Sequence, residues 1–255
     1  MRKDSVDAMT AYYYDLHIHS CLSPCGDEDM TPNNIVGMAA LNGLNMLALT
    51  DHNSTKNCPA FFEACKKQGI IPIAGMELST AEDIHLVCLF EELDDAMRFG
   101  DEVHRHLMPI KNRPEIFGNQ HILNGDDEII GEEELLLISA TDLPIDEAIV
   151  LAKSFGAHVH PAHIDRESNG IVAVLGDVPS EYGFKCFEFR ERENVQKLKS
   201  VVEELTDTSV LVCSDAHYLW DISEANNFLT IDDEPYSSAL VRRRLFEKLE
   251  RAELN

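Results

Sequence analysis

Residues 12–32 read YYYDLHIHSCLSPCGDEDMTP. The stretch opens as an apolar strand, sets His17 and His19 one residue apart at its end, and runs into a loop of small and acidic residues. Strand side chains alternate, so residues i and i+2 share a face and the two imidazoles point together. Downstream, NNIVGMAALNGL, MLALTDH, CPAFFEACKKQG and IIPIAGMELS follow in turn. Their order is the βαβα rhythm of a parallel sheet, and so of an α/β fold. Pro32 opens the first helix and Asn42-Gly43 closes it. The second ends at Gly69, with Lys66 and Lys67 in its last turn, where cations complement the helix dipole. IHLVCLF reads as a further strand.

The rhythm breaks beyond Glu91. Residues 91–143 carry an acidic helix (LDDAMRFGDEVHRHL), an Asn124-Gly125 turn and an acidic run at Glu132–Glu134, and read as an insertion or cap. It resumes with PIDEAIVLAKSFG as a helix, AHVHPAH and KCFEF as strands, NVQKLKSVVEEL as a helix and SVLVCSDAH as a strand. SSALVRRRLFEKLERAEL closes the chain as an amphipathic helix. One domain over 1–255, with its insertion at about 91–143, accounts for this order.

Forty-six acidic against twenty-one basic residues give a formal charge of −25. Such a field repels polyanions, so the expected partner is a small phosphorylated substrate rather than long nucleic acid or a membrane, although bound cations invert the sign inside a pocket. MRKDSVDAMT has no apolar leader and no run approaches a membrane span, so the expected location is cytoplasmic. Seven cysteines without a paired framework suit a reducing compartment.

Polar groups recur where strands end. Asp215 and His217 in SDAH repeat the i, i+2 spacing of His17 and His19. Asp51-His52 follows MLAL, Glu77 follows IAGM, His160 precedes Pro161, and His85 opens IHLVCLF. A lone histidine near a strand is usually a hydrogen-bonded structural residue. Six imidazoles and two carboxylates at one end of successive strands are costly to gather without a metal. His158 shares the strand face of His160, either structurally or at the site. His104, His106 and His121 lie in the insertion and read as a solvated face. Arg166, in PAHIDR, is placed to grip substrate phosphate or to form a surface ion pair, and His163 beside it is the second candidate for substrate contact.

DLHIHS, TDHN, GMELS with IHL, HVHP and SDAH together resemble the ordered motifs of the PHP (polymerase and histidinol phosphatase) superfamily. The resemblance runs from Asp15 to His217 and omits only the insertion and the last helix. It implies an irregular (β/α)7 TIM-like barrel with two or three divalent ions, Mn²⁺, Fe²⁺ or Zn²⁺, acting on phosphoric esters. Carried over motif by motif, His17, His19 and Asp215 hold a first ion, and Glu77 bridges it to a second on His85 and His160. A third uses His52, His217 and a loop ligand, either Asp27 or Cys25. Carboxylate oxygen suits Mn²⁺ or Fe²⁺ and a thiolate suits zinc, which favours Asp27.

Glu77, Asp215 and His217 are then the expected catalytic centre, with water activated between ions as nucleophile. The leading expectation is hydrolysis of a small phosphomonoester or nucleotide phosphate. The alternatives are an exonuclease on short oligonucleotides, or a metal-binding regulatory protein without turnover.

Overall fold

The computed structural model describes residues 9–206 and 208–254. Residues 1–8, read above for the lack of an apolar leader, lie outside the described residues. Strand β1 (Met9–Asp15) is followed by helix α1 (Pro32–Leu41), β2 (Met46–Leu49), α2 (Cys58–Gln68), β3 (Ile71–Ser79) and β4 (His85–Phe90). Residues 91–143 supply α3 (Leu93–Val103), α4 (Pro114–Phe117), β5 (His121–Leu123) and β6 (Ile129–Glu132). Then come α5 (Ile145–Ser154), β7 (His158–Pro161), α6 (Ile171–Leu175), β8 (Cys186–Phe189), α7 (Asn194–Lys199), β9 (Ser209–Val212), β10 (Phe228–Asp232) and α8 (Ser238–Arg251).

Local chemistry sets the boundaries. Thr31 caps α1 by accepting from the Asn34 amide, and Pro32 fills its first turn. Gly69 ends α2 at φ 71°, a left-handed conformation that costs a glycine little. The stretch after Glu193, read as one helix, is shorter. Helix α7 stops at Lys199 and a 3-10 turn follows over Glu203–Leu205. The break turns Val202 and Leu205 into the core and leaves Val201 exposed.

The main sheet runs β10-β1-β2-β3-β4-β7, with β8 and β9 a separate parallel pair. It is mixed, not parallel as the rhythm suggested. β1, β2 and β3 are parallel, whereas β4 pairs antiparallel with both β3 and β7. Residues 80–84 between β3 and β4 form a tight turn, with Thr80 N donating to Ile84 O at 2.9 Å, far too short for a crossover. β10, unanticipated from the sequence, adds an antiparallel edge to β1.

The curled sheet separates two cores. Leu47, Leu49, Ala74, Met76 and Cys88 pack outward against α1, α2, α3 and α5. Tyr14, Leu16, Met46, Ile73, Leu89 and Leu211 face inward, where Val241, Leu245 and Leu249 of α8 close one end. The antiparallel turn of β4 matters for the site at the other end: it brings His85 opposite Ser79, beside the carboxyl end of β3.

The hairpin β5-β6 lies on the loop after β1. His121 N donates to Cys21 O at 3.1 Å. Asp127 accepts from Thr31 Oγ1 at 2.5 Å, and Leu22, Leu107 and Leu137 form a small apolar cluster of their own. Among the described residues, no helix is long and apolar enough to cross a membrane.

Candidate metal centre

β1 ends at Asp15, short of both histidines. Leu16 packs in the inner core and Ile18 in the outer one, so strict alternation breaks between them. An isolated parallel bridge from Ile18 to Ala216 then holds the segment against the SDAH stretch. The irregularity rolls both rings inward, and His17 Nε2 comes to lie 3.1 Å from His19 Nε2, both rings fully buried.

Hydrogen bonds fix which nitrogens carry protons. His17 Nδ1 is 2.8 Å from Glu188 Oε1, a carboxylate that can only accept, so this nitrogen donates. Ser23 gives its one proton to Asp51 Oδ1 at 2.7 Å. Its oxygen therefore accepts from His19 Nδ1 at 3.1 Å and from the His52 amide at 3.1 Å. With Nδ1 protonated on both rings, the two Nε2 atoms present lone pairs to each other.

The remaining neighbours are acceptors too. His19 Nε2 is 3.1 Å from Asp215 Oδ1 and 3.3 Å from Glu77 Oε2. His17 Nε2 is 3.4 Å from Glu77 Oε1 and 3.5 Å from Asp215 Oδ1. Two lone pairs and two buried carboxylates facing one point repel each other unless a cation joins them. These four residues offer ligand atoms within 4.8 Å of one another, as do His52, Glu77 and His85, and His19, His52 and His217. Glu77 Oε2 and His52 Nδ1 are buried without a hydrogen bond. The donor set therefore fits divalent cations.

Protons take that role in the metal-free protein. Burial alone pushes His19 and His52 down, but Asp215 and Glu77 raise His19 to about 9, and Glu77 with Cys25 raises His52 to about 9. Burial likewise raises Glu77, yet His85, His17, His52 and His163 hold it well below the usual carboxylate range. Asp215 is lowered in the same way by His17 and His19. His217 falls to about 3 through burial and the nearby His19. Its ring stacks on that of His19, with centroids 4.2 Å apart.

Three sequence expectations need correction. His160 does not reach Glu77; its Nε2 faces Glu188 Oε2 at 3.7 Å, and neither ring nitrogen has a hydrogen-bond partner. His163, expected to touch substrate, stands there instead, with Nε2 2.9 Å from Glu77 Oε1 beside His85 Nδ1 at 2.8 Å. The chain passes Pro161 and turns at His163, φ 27°, which swings this ring over the sheet end. Asp27 is the third. Its Oδ1 accepts from its own loop at Asp29 N, 2.9 Å, and it stands in none of the three donor groups, while the exposed Cys25 is near enough to His52 to favour its charged form.

Other groups lie outside the cluster. Asp15 accepts from the Ser214 and Ser223 amides at 3.1 and 3.0 Å, and the Asp51 carboxylate accepts from Ser20 and Ser23 while its carbonyl accepts from the Glu77 amide at 3.2 Å. His158 faces Glu250 of α8 at 3.6 Å. His104, His106 and His121 pair with Glu133, Asp142 and Glu132. Arg166 Nη1 donates to Asp215 Oδ2 at 2.7 Å. Two residues went unread in the sequence. Glu188 was legible only as a lone acid in the apolar strand CFEF, and Arg190, 3.6 Å from Asp215 Oδ2, had no motif around it.

A family model described as PHP domain matches residues 15–210, and this span takes in every motif strand but the final SDAH ligands. The chain belongs to the PHP domain family. Among curated relatives, the 5'-3' exoribonuclease of Haemophilus influenzae is 39% identical over 79 residues, 30% of this chain and 28% of that protein. The PolC-type DNA polymerase III of Thermotoga maritima is 36% identical over 89 residues, 34% of this chain and 6% of the polymerase. The chain thus spans a small fraction of the curated relatives it matches.

Two solved structures share the fold. The lesion-specific endonuclease Q of Pyrococcus furiosus superposes with TM-score 0.62 at 17% identity, covering 92% of this chain and 55% of that one. An amidohydrolase from Chromobacterium violaceum, solved with sulfate and no metal, gives 0.55 at 18% identity, covering 94% and 96%. A further structure shows endonuclease Q with a 27-mer duplex whose abasic lesion lies at the active site. The expectation that long nucleic acid is an unlikely partner is therefore overturned: in endonuclease Q the same fold holds a duplex, so net charge alone does not decide the partner.

Proposed function

We propose that this PHP chain is a metal-dependent hydrolase of phosphoric esters. The observation that carries this reading is the convergence of His17 Nε2, His19 Nε2, Glu77 and Asp215, four acceptors with their donors turned away. His17, His19, Glu77 and Asp215 would hold one cation. Glu77 would bridge to a second on His85 and His163, and His19, His52 and His217 would hold a third, its loop ligand Asp27 or Cys25. Mn²⁺, Fe²⁺ or Zn²⁺ bound there supplies Lewis acidity and lowers the pKa of coordinated water.

The chain's own groups supply the rest. Glu188 and Ser23 orient His17 and His19 so that lone pairs, not protons, face the reacting centre. Arg166 and Arg190 meet Asp215 Oδ2 at the mouth, where guanidinium forks are placed for non-bridging phosphate oxygens. Burial of the cluster excludes bulk water and strengthens every charge interaction in it.

The same reading takes β1, β2, β3, β4, β7, β8 and β9 as a closed seven-stranded barrel. Ile164 N, donating to Glu188 O at 2.9 Å, and the Ile18–Ala216 bridge support it. Residues 91–143 then form a cap on one domain. The shared segment with the exoribonuclease favours a second reading, an exonuclease on short oligonucleotides.

Release of phosphate from p-nitrophenyl phosphate, and of nucleotides from 5'-phosphorylated oligomers, tests both in Mn²⁺-loaded protein. The expected result is turnover of at least one, abolished in Glu77→Gln. Full metal occupancy with no turnover on either would leave the regulatory alternative standing and overturn this reading.

A further inference from the structure

We infer that Tyr218 and Trp220 form a stacking platform for the base of a nucleotide whose phosphate sits at the cation cluster. The inference rests on the hydrolase reading and names its substrate class.

Trp220 is the chain's single tryptophan, and it is 74% exposed. Large aromatic rings are normally withdrawn from water, and exposed ones concentrate where something binds. Its ring lies 4.8 Å from that of Tyr218 at an interplanar angle of 16°, so the pair is already stacked. Tyr218 is itself 39% exposed. The arrangement is built into a short 3-10 turn, Leu219–Asp221, in which Asp221 N donates to Tyr218 O at 3.0 Å.

Position gives the pair its meaning. Tyr218 directly follows His217, so chain geometry limits Trp220 to about 11 Å from His217 between Cα atoms. That is within the reach of one nucleotide. A cavity of about 400 Å³ lies alongside, lined by Arg190, Arg192, Ser214, Asp221 and Asn227 among others. Its lining borders both features without containing either: Asp221 adjoins Trp220 in sequence, and Arg190 reaches Asp215 Oδ2 at 3.6 Å. In a chain of formal charge −25, Arg166 and Arg190 both meet Asp215 Oδ2, so these two cations stand at the cluster rather than at the ring pair. Aromatic stacking tolerates any base, so the platform selects for the presence of a base and not its identity.

The sole tryptophan reports directly on the claim. Full-length protein loaded with Zn²⁺, which does not quench paramagnetically, is titrated with adenosine 5'-monophosphate and separately with ribose 5-phosphate. The nucleotide is expected to change Trp220 emission saturably and the base-free sugar phosphate to leave it unchanged. For the 5'-phosphorylated dinucleotide pApA in Mn²⁺, Trp220→Ala is expected to raise KM about tenfold, the scale of one base–aromatic stack, and Trp220→Phe to restore most of it. Thermal melts of both variants confirm that they fold. Equal emission changes with both ligands, or a KM for pApA within twofold of the parent in Trp220→Ala, would overturn the platform. Base-dependent quenching without hydrolysis of any ester would support the platform while the hydrolase reading fails. Equal hydrolysis of base-bearing and base-free esters without base-dependent quenching would sink the platform alone.

Discussion

Glu188 is where the physics of single residues is plainest. Its Oε1 accepts from His17 Nδ1 and also from the His163 amide at 3.1 Å, so one fully buried carboxylate orients two parts of the cluster. Carboxylates behind metal-binding histidines typically contribute 10–100-fold in affinity. Glu188→Gln should therefore weaken Mn²⁺ binding by about 10–100-fold in calorimetry, with the fold retained. His163→Ala should lose a bound cation by elemental analysis, whereas His160→Ala should keep the full complement; equal loss in both would return the ligand role to His160. Proton linkage gives a further expectation. His19 and His52 are raised to about 9 in the metal-free state, above their unfolded value near 6.5. Their stabilisation is fully present below pH 6.5 and is lost as pH rises through about 9. Metal must displace those protons, so apparent affinity should rise over pH 6.5–9 and binding at pH 7.5 should release protons, measurable by titration in two buffers of different ionisation enthalpy. The His, Glu and Asp letters were readable in the chain because their spacing matches strand ends. The choice of His163 over His160 was not, since it depends on a left-handed turn after Pro161.

At the scale of elements, strands and helices were legible where periodicity and caps agree: α1 and α2 begin and end where Thr31, Pro32, Asn42 and Gly69 dictate. Strand direction was not. A run such as IHLVCLF looks the same whether parallel or antiparallel, and only the short 80–84 connection, read as a length constraint, distinguishes them. β10 was missed because the edge strand FLTID is brief and half exposed. Residues 91–143 make a testable contact of their own. Gly118 sits at φ 100°, and a Cβ there would lie 2.2 Å from Pro24 O, in the loop that carries Ser23 and Cys25. Gly118→Ala should cost about 2 kcal/mol, from an all but glycine-only conformation. It should lower Tm by about 5 °C and weaken cation binding at the His52 and His217 group more than at the His17 group. A variant as stable as the parent would mean that residues 91–143 do not brace this loop.

The whole molecule sets a strongly acidic exterior against a cluster built to take cations, and that contrast misled the expectation about partners. Formal charge acts over distances that salt screens, about 8 Å at physiological ionic strength, whereas the cluster acts at contact. Cations that bind only the folded chain should stabilise it by about 2.7 kcal/mol at a hundredfold excess over Kd. Chelation should therefore lower Tm by several degrees, recoverable with Mn²⁺. The most direct test of the central claim is anomalous diffraction from crystals saturated with Mn²⁺. It should reveal cations within coordinating distance of His17 Nε2, His19 Nε2, Glu77 and Asp215. An empty cluster at saturating Mn²⁺, its imidazoles instead donating protons to Glu77 and Asp215, would contradict the account.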